Sequence, residues 1–413
     1  MASYTIHNPG YTENETKYVA GKGAFLIKEN GQSILDAGLA AGCHILGHSH
    51  NEIVSALCEQ AEQGVIFLNN NTQIKHLSEQ LAEVLPPLLN NFVFCNSGSE
   101  ATQRALRYAR AATGKDKIAS FQGGWHGMNE WTLRDDGGRF SLNDHRLPSG
   151  IPDSVLQHSI LLPYNDSMAF DIIEKNKSTL AAICIEPIQG SNPRDDIIPF
   201  LRRLEQLCKE NGILIIYDEI ISGFRIGISG ATGTWGLTPD IVTYGKILGG
   251  GLPVGLVAFT DSVSRMTFRD QYKKMLSGGT FSANPLMAKV ASTVINILKQ
   301  KDYAVIDTLA ATFRSETNKK LISLNIPCRL SGFASINRLY FTDQPIKNRA
   351  QRDSLELNYE FQKIFRDHMM QLNVLWPTNG IVFTGFCHNE QIIRELSDKI
   401  VDALKKCIET QHV

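Results

Sequence analysis

The chain has 413 residues, of which 43% are hydrophobic and 20% charged, enough apolar material for a substantial core and too little charge for a disordered chain. Forty-one basic side chains against forty-two acidic ones give a formal net charge of -1, so no global field exists to hold a polyanion, and nucleic acid is not an expected partner. At about 150 residues per domain the length predicts two or three domains.

From the N-terminus, MASYTIHNPGYTENETKY has neither a basic leader nor an apolar core, so no signal peptide is expected. KGAFLIKENGQSILDAG predicts a hairpin turned at Asn30-Gly31, an arm that needs a surface to lie against. Helical spacing follows over 52–62 and 74–84, stopped by Pro86-Pro87. A strand over 91–95 then leads through Ser97-Gly98-Ser99 into a helix reaching about Ala112.

That strand, glycine turn and helix order continues with strands over 117–121, 181–185 and 213–217, helices over 167–175 and 199–211, and apolar runs at 242–244 and 255–259. Such alternation predicts an α/β fold with a large, mostly parallel sheet. The stretch 130–155 lacks periodicity and suits either a lid or a plain surface excursion. A connector helix over 284–299, strands near 332–340 and 380–386 and a last amphipathic helix from Glu390 to about Cys407 predict a smaller α+β domain. The expected division is therefore an arm at 1–50, a large domain at 51–289 and a small domain at 290–413.

No stretch without charges approaches the length needed to span a bilayer, so a membrane partner is not expected. The eight cysteines are scattered and form no CxxC pair, which gives no support to a structural metal site and fits a reducing, cytoplasmic setting.

Three segments carry candidate chemistry. FCNSGSEAT, 94–102, ends a strand in small residues and opens a helix, so its free N–H groups and the Ser97 and Ser99 hydroxyls suit a phosphate or simply cap the helix. ILIIYDEIISGFR, 213–225, delivers Asp218 and Glu219 to a strand's carboxyl end, where ligands collect in parallel sheets. Either acid suits a metal, or the pair solvates the strand end or meets Arg225. TYGKILGGGLPVG, 243–255, puts Lys246 after a strand and before three glycines. A desolvated lysine there suits Schiff-base chemistry, whereas an exposed one would be a plain surface residue.

Taken together with WHG, IEP and GGTFSANP, these segments resemble the class III aminotransferases among the fold-type I pyridoxal-phosphate enzymes, most of all the glutamate-1-semialdehyde 2,1-aminomutases. The resemblance spans nearly the whole chain. It implies pyridoxal 5′-phosphate as cofactor, with pyridoxamine phosphate as its alternate form, and Lys246 as the Schiff-base lysine that shuttles the substrate proton. Asp218 is implied to keep the pyridine nitrogen protonated, and Ser97, Gly98 and Ser99 to hold the phosphate. Trp125 would stack on the ring with His126 beside it, and Glu186 to Gln189 would approach the phenolic side. The family's homodimers share their active sites, so Thr280 would reach the neighbouring subunit's phosphate.

Arg225 falls in the family's GFR segment, with a structural or substrate-binding role. Two departures concern substrate. The aminomutase pattern has an N-terminal arginine for the substrate carboxylate, but the first arginine here is Arg104; and WPTNGIVFTGF, 376–386, lacks the family's glutamate. Arg139 and Arg146, in the loop at 130–155, are the alternative carboxylate binders. The expected reaction moves an amino group from a small-molecule donor to a ketone or aldehyde acceptor such as a sugar or biosynthetic intermediate. The alternatives are intramolecular transfer of the aminomutase kind and a non-catalytic pyridoxal-phosphate-binding partner protein.

Overall fold

The computed structural model describes residues 16–133, 149–268, 275–356 and 359–411. Its largest sheet has seven strands, in the spatial order Asn91–Cys95, Gly255–Phe259, Ile241–Gly245, Leu214–Asp218, Leu180–Ile185, Lys117–Phe121 and Ser159–Leu162. The last five run parallel, and Gly255–Phe259 is antiparallel to both of its neighbours. Two reversals cancel, so Asn91–Cys95 points the same way as Ile241–Gly245 and ends at the same edge of the sheet.

Leu180–Ile185, Leu214–Asp218, Ile241–Gly245 and Gly255–Phe259 are buried throughout. Helices cover both faces, which is why these strands read as continuous apolar runs and not as alternating ones. The strand expected at 213–217 sits one residue later, so Asp218 is its last residue. Local signals set the helix ends. Ser97 accepts the Glu100 amide at 3.1 Å to start Gly98–Thr113, and Gly114, at φ 70°, ends it.

The arm forms strands Tyr18–Lys22, Phe25–Lys28 and Ser33–Asp36, with Gly31 at φ 82° in the predicted turn. Its support is Val374–Leu375, which pairs in parallel with Leu35 and Asp36, so the arm packs with the C-terminal elements. The connector helix Pro285–Lys299 packs in the core of the large sheet, which extends to Ile306, while the second core joins Ala24, Leu35 and Ala37 of the arm to residues from Leu309 onward. The apolar stretch near 332–340 is a hairpin of Arg329–Phe333 and Ile336–Tyr340, turned at Ala334 with φ 47°, and Ile381–Phe383 joins it as a third strand.

Candidate active site

A cavity of about 180 Å³ opens at the carboxyl edge of the large sheet, lined among others by Gly98, Ser99, Trp125, His126, Glu186, Asp218 and Lys246. The topology brings these together from five strand ends. Lys246 follows Ile241–Gly245 directly and takes a left-handed φ of 44° at the start of a short 3₁₀ turn, a conformation costing a non-glycine residue about 1–2 kcal/mol. Its amine faces the cavity, and burial depresses its proton affinity below the ordinary lysine range.

Asp218 is almost wholly buried and has no arginine or lysine on it. His126 Nδ1 lies 2.7 Å from its Oδ2, while Thr243 Oγ1 and the Ile220 amide donate to Oδ1 at 3.1 Å each. Burial works to lower the His126 pKa, and the Cys184 sulfur and the Asp218 carboxyl group beside the ring outweigh it and raise that pKa well above the imidazole range. The histidine's own loop is pinned because Thr102 Oγ1 and Asn129 Nδ2 both donate to the His126 carbonyl, at 2.6 and 2.7 Å.

Glu186 accepts the Trp125 amide at 2.9 Å and the Gly190 amide at 3.1 Å, and burial raises its carboxyl pKa. The Trp125 ring is 56% exposed over the cavity. Gln189 lies beside this site without lining it. Its amide donates to the Gln122 carbonyl at 2.9 Å, and its buried Oε1 has no hydrogen-bond partner among the described residues.

At the other end, Gly98 and Ser99 form the first turn of their helix, and the Ser99 hydroxyl accepts the Met128 amide at 3.1 Å. Ser97 serves as the cap and lies behind the lining. Backbone approach is close here. A Cβ on Gly127 would fall 2.4 Å from Ser99 Oγ, and one on Gly255 would fall 2.2 Å from the Ser97 carbonyl. The result is a helix N-terminus with free N–H groups facing a polar cradle, which suits a phosphate.

Two predicted residues lie elsewhere. Arg225 is fully buried and away from the cavity lining, donating to the carbonyls of Gly42 at 2.7 Å and Thr384 at 3.2 Å and to Ser335 Oγ at 3.3 Å, with its guanidinium 4.5 Å from the Phe383 ring centroid. Burial pushes its pKa down to about 10. Thr280 is exposed in a turn that Arg104 tethers through the Gly278 carbonyl at 2.6 Å, outside this chain's own cavity. Arg139 and Arg146 lie outside the described residues.

The Glu219 carboxylate is taken up by the backbone. It accepts the Ala231 and Thr232 amides at 2.6 and 2.8 Å and the Ser222 hydroxyl at 2.9 Å, and among the described residues no group of acids, histidines and cysteines is placed to hold a metal. Sequence reasoning missed Thr102, Gly127, Ile220 and Ile221 as lining residues. The two isoleucines directly follow Asp218-Glu219, and an apolar pair just past a strand's carboxyl end was the available signal.

A buried lysine of lowered basicity, a buried carboxylate held by a histidine and a phosphate cradle, all on one edge of this sheet, define a pyridoxal-phosphate-dependent transferase of fold type I. The family described as Aminotransferase class-III matches residues 6–323, and the chain belongs to that family; it is an enzyme that uses pyridoxal 5′-phosphate. It is 30% identical over 397 residues to a glutamate-1-semialdehyde 2,1-aminomutase of Methanococcus maripaludis, covering 94% of this chain and 90% of that one. An omega-transaminase from Sphaerobacter thermophilus superposes with a TM-score of 0.88 at 26% identity, over 98% of this chain and 94% of that one. A glutamate-1-semialdehyde aminomutase from Pseudomonas aeruginosa, solved in complex with PMP, shares the fold with a TM-score of 0.82 at 20% identity, over 95% and 87% of the two chains.

Proposed function

We propose that this enzyme transfers an amino group between two separate molecules, from an amino donor to a ketone or aldehyde acceptor of low acidity. The observation that carries the reading is the Lys246 amine, depressed in basicity and facing a cavity whose opposite members are Asp218 and the Gly98–Ser99 turn.

Bound pyridoxal phosphate supplies the electron sink that makes the amine-bearing carbon acidic. Lys246 Nζ would hold the cofactor covalently and, when free, would move the proton from and to that carbon. Asp218, held by His126 and Thr243, would stand at the ring nitrogen. Gly98 and Ser99 bind the phosphate through backbone N–H groups, with Ser97 setting the helix start. Trp125 would stack on the ring, and Glu186 with Gln189 would border the phenolic side.

A homodimer completes the site in this reading, because exposed Thr280 serves the partner's phosphate. Eight free cysteines suit a cytoplasmic address, and among the described residues no helix is long and apolar enough to cross a membrane.

The test is the visible spectrum of the purified protein against a panel of amino acids, diamines and aminosugars. A donor that converts the pyridoxal band to the pyridoxamine form supports the reading; absence of any such band after reconstitution sinks it. The second reading, intramolecular transfer, draws on the relatives named aminomutases. Nitrogen-15 from the donor appearing in a separate acceptor favours the first reading, and its retention in one molecule the second.

A further inference from the structure

Ile220 and Ile221 both line the cavity but reach opposite ends of it. The Ile220 Cδ1 tip lies 3.0 Å from where a Cβ on Gly98 would stand and 3.1 Å from one on Gly245, which places it at the phosphate end. The Ile221 Cδ1 tip lies 2.7 Å from a Cβ position on Gly190, with Ile381 Cδ1 at 3.3 Å from the same point. Gly190 donates its amide to Glu186, so Ile221 stands at the end away from the phosphate cradle. That is the end left for substrate.

Ile221 is the cavity-facing member of an apolar cluster formed by buried Leu39, Ile188, Ile381 and Phe383. These residues come from the arm, the large sheet's loop and the C-terminal strand, so the wall is built by three separate parts of the chain. Phe383 also covers the guanidinium of Arg225, whose donors reach backbone and Ser335 instead of the cavity. The Glu186 carboxyl group stands beside Ile221, with Oε2 3.9 Å from the Gly190 Cβ position. An acidic substrate tail would meet apolar carbon and a second carboxyl group there.

We propose that Ile221 is a specificity-determining residue and that the donor carries an uncharged, apolar chain lying against Ile221, which the buried cluster of Ile381 and Phe383 supports from behind. The inference rests on the amino-transfer reading for its kinetics but not for its binding.

The experiment uses the cofactor-loaded protein and two donor sets of matched length: straight-chain primary amines from propylamine to hexylamine, and ω-amino acids ending in a carboxylate. Calorimetry gives each dissociation constant, and loss of the pyridoxal band gives each transfer rate. Binding of the amines should tighten by about fourfold per added methylene, the equivalent of about 0.8 kcal/mol, and each amino acid should bind at least about tenfold more weakly than its matched amine.

Ile221→Ala should flatten the gain per methylene while the pyridoxal band persists, and Ile221→Arg should move the preference to the carboxylate-ended set. Flat binding along the amine series, or tighter binding of the amino acids by the unaltered protein, overturns the proposal. Tightening without any loss of the band supports the wall and removes the amino-transfer reading instead.

Discussion

His126 Nδ1 sits 2.7 Å from Asp218 Oδ2, with both side chains at most 2% exposed, so the acid meant to face the ring nitrogen is itself aimed by a second buried group. Replacing His126 by Phe removes the donor and leaves a buried carboxylate oxygen unpaired. We expect a loss of about 1–3 kcal/mol of stability and a fall in transfer rate of about tenfold. Urea denaturation read beside the half-reaction rate checks both, and an unchanged rate would remove His126 from the positioning role.

Lys246 offers the sharpest kinetic contrast. Lys246→Ala should keep the fold by circular dichroism and lose about 10²–10⁴ in transfer rate, the span of a lost general base. Exogenous small amines should restore part of the rate. Activity near that of the unaltered enzyme would dismiss the assignment.

Glu219 makes a prediction that has nothing to do with turnover. Its carboxylate holds two amides at the start of the short helix Gly230–Thr234 and the Ser222 hydroxyl. Glu219→Ala orphans those donors and should cost about 2–5 kcal/mol by chemical denaturation. Added divalent cations should leave the stability of the unaltered protein where it was.

The pH dependence of stability turns on His44 and His388, which burial holds down at about 4 from the ordinary 6.5. The unfolded chain takes up these protons near pH 6.5 and the folded chain only near 4, so stability falls as pH drops through that window. Each histidine should contribute about 2 kcal/mol of loss between pH 7 and pH 5. Urea midpoints at the two pH values measure the sum, and His388→Gln should shrink the difference by its own share.

The parallel order of strands, the hairpin at Asn30-Gly31 and the cap at Ser97 were legible because each rests on neighbouring residues. Lys246 and Asp218 were legible because strand ends in such sheets are where ligands collect. Arg225 was not, since its acceptors, Gly42, Ser335 and Thr384, lie far from it in sequence. The same holds for Leu39, Ala40 and Ala41, three consecutive residues with φ between 43° and 56°. Nothing in LAA asks for that backbone; Asp36 holds it by accepting the Gly38 and Ala40 amides at 3.1 and 2.8 Å, and Arg225 by taking the Gly42 carbonyl.

The inverted strand Gly255–Phe259 has a consequence for synthesis. It is the last strand of the large sheet to leave the ribosome, yet it is wedged between the first, Asn91–Cys95, and the remaining five. A nascent chain ending before residue 255 has two pieces of sheet with a gap between them, and the serine turn hangs on one while Lys246 hangs on the other. Competence to hold the cofactor therefore arrives in one late event, when that strand slides into the slot and draws the two halves of the site to the same edge.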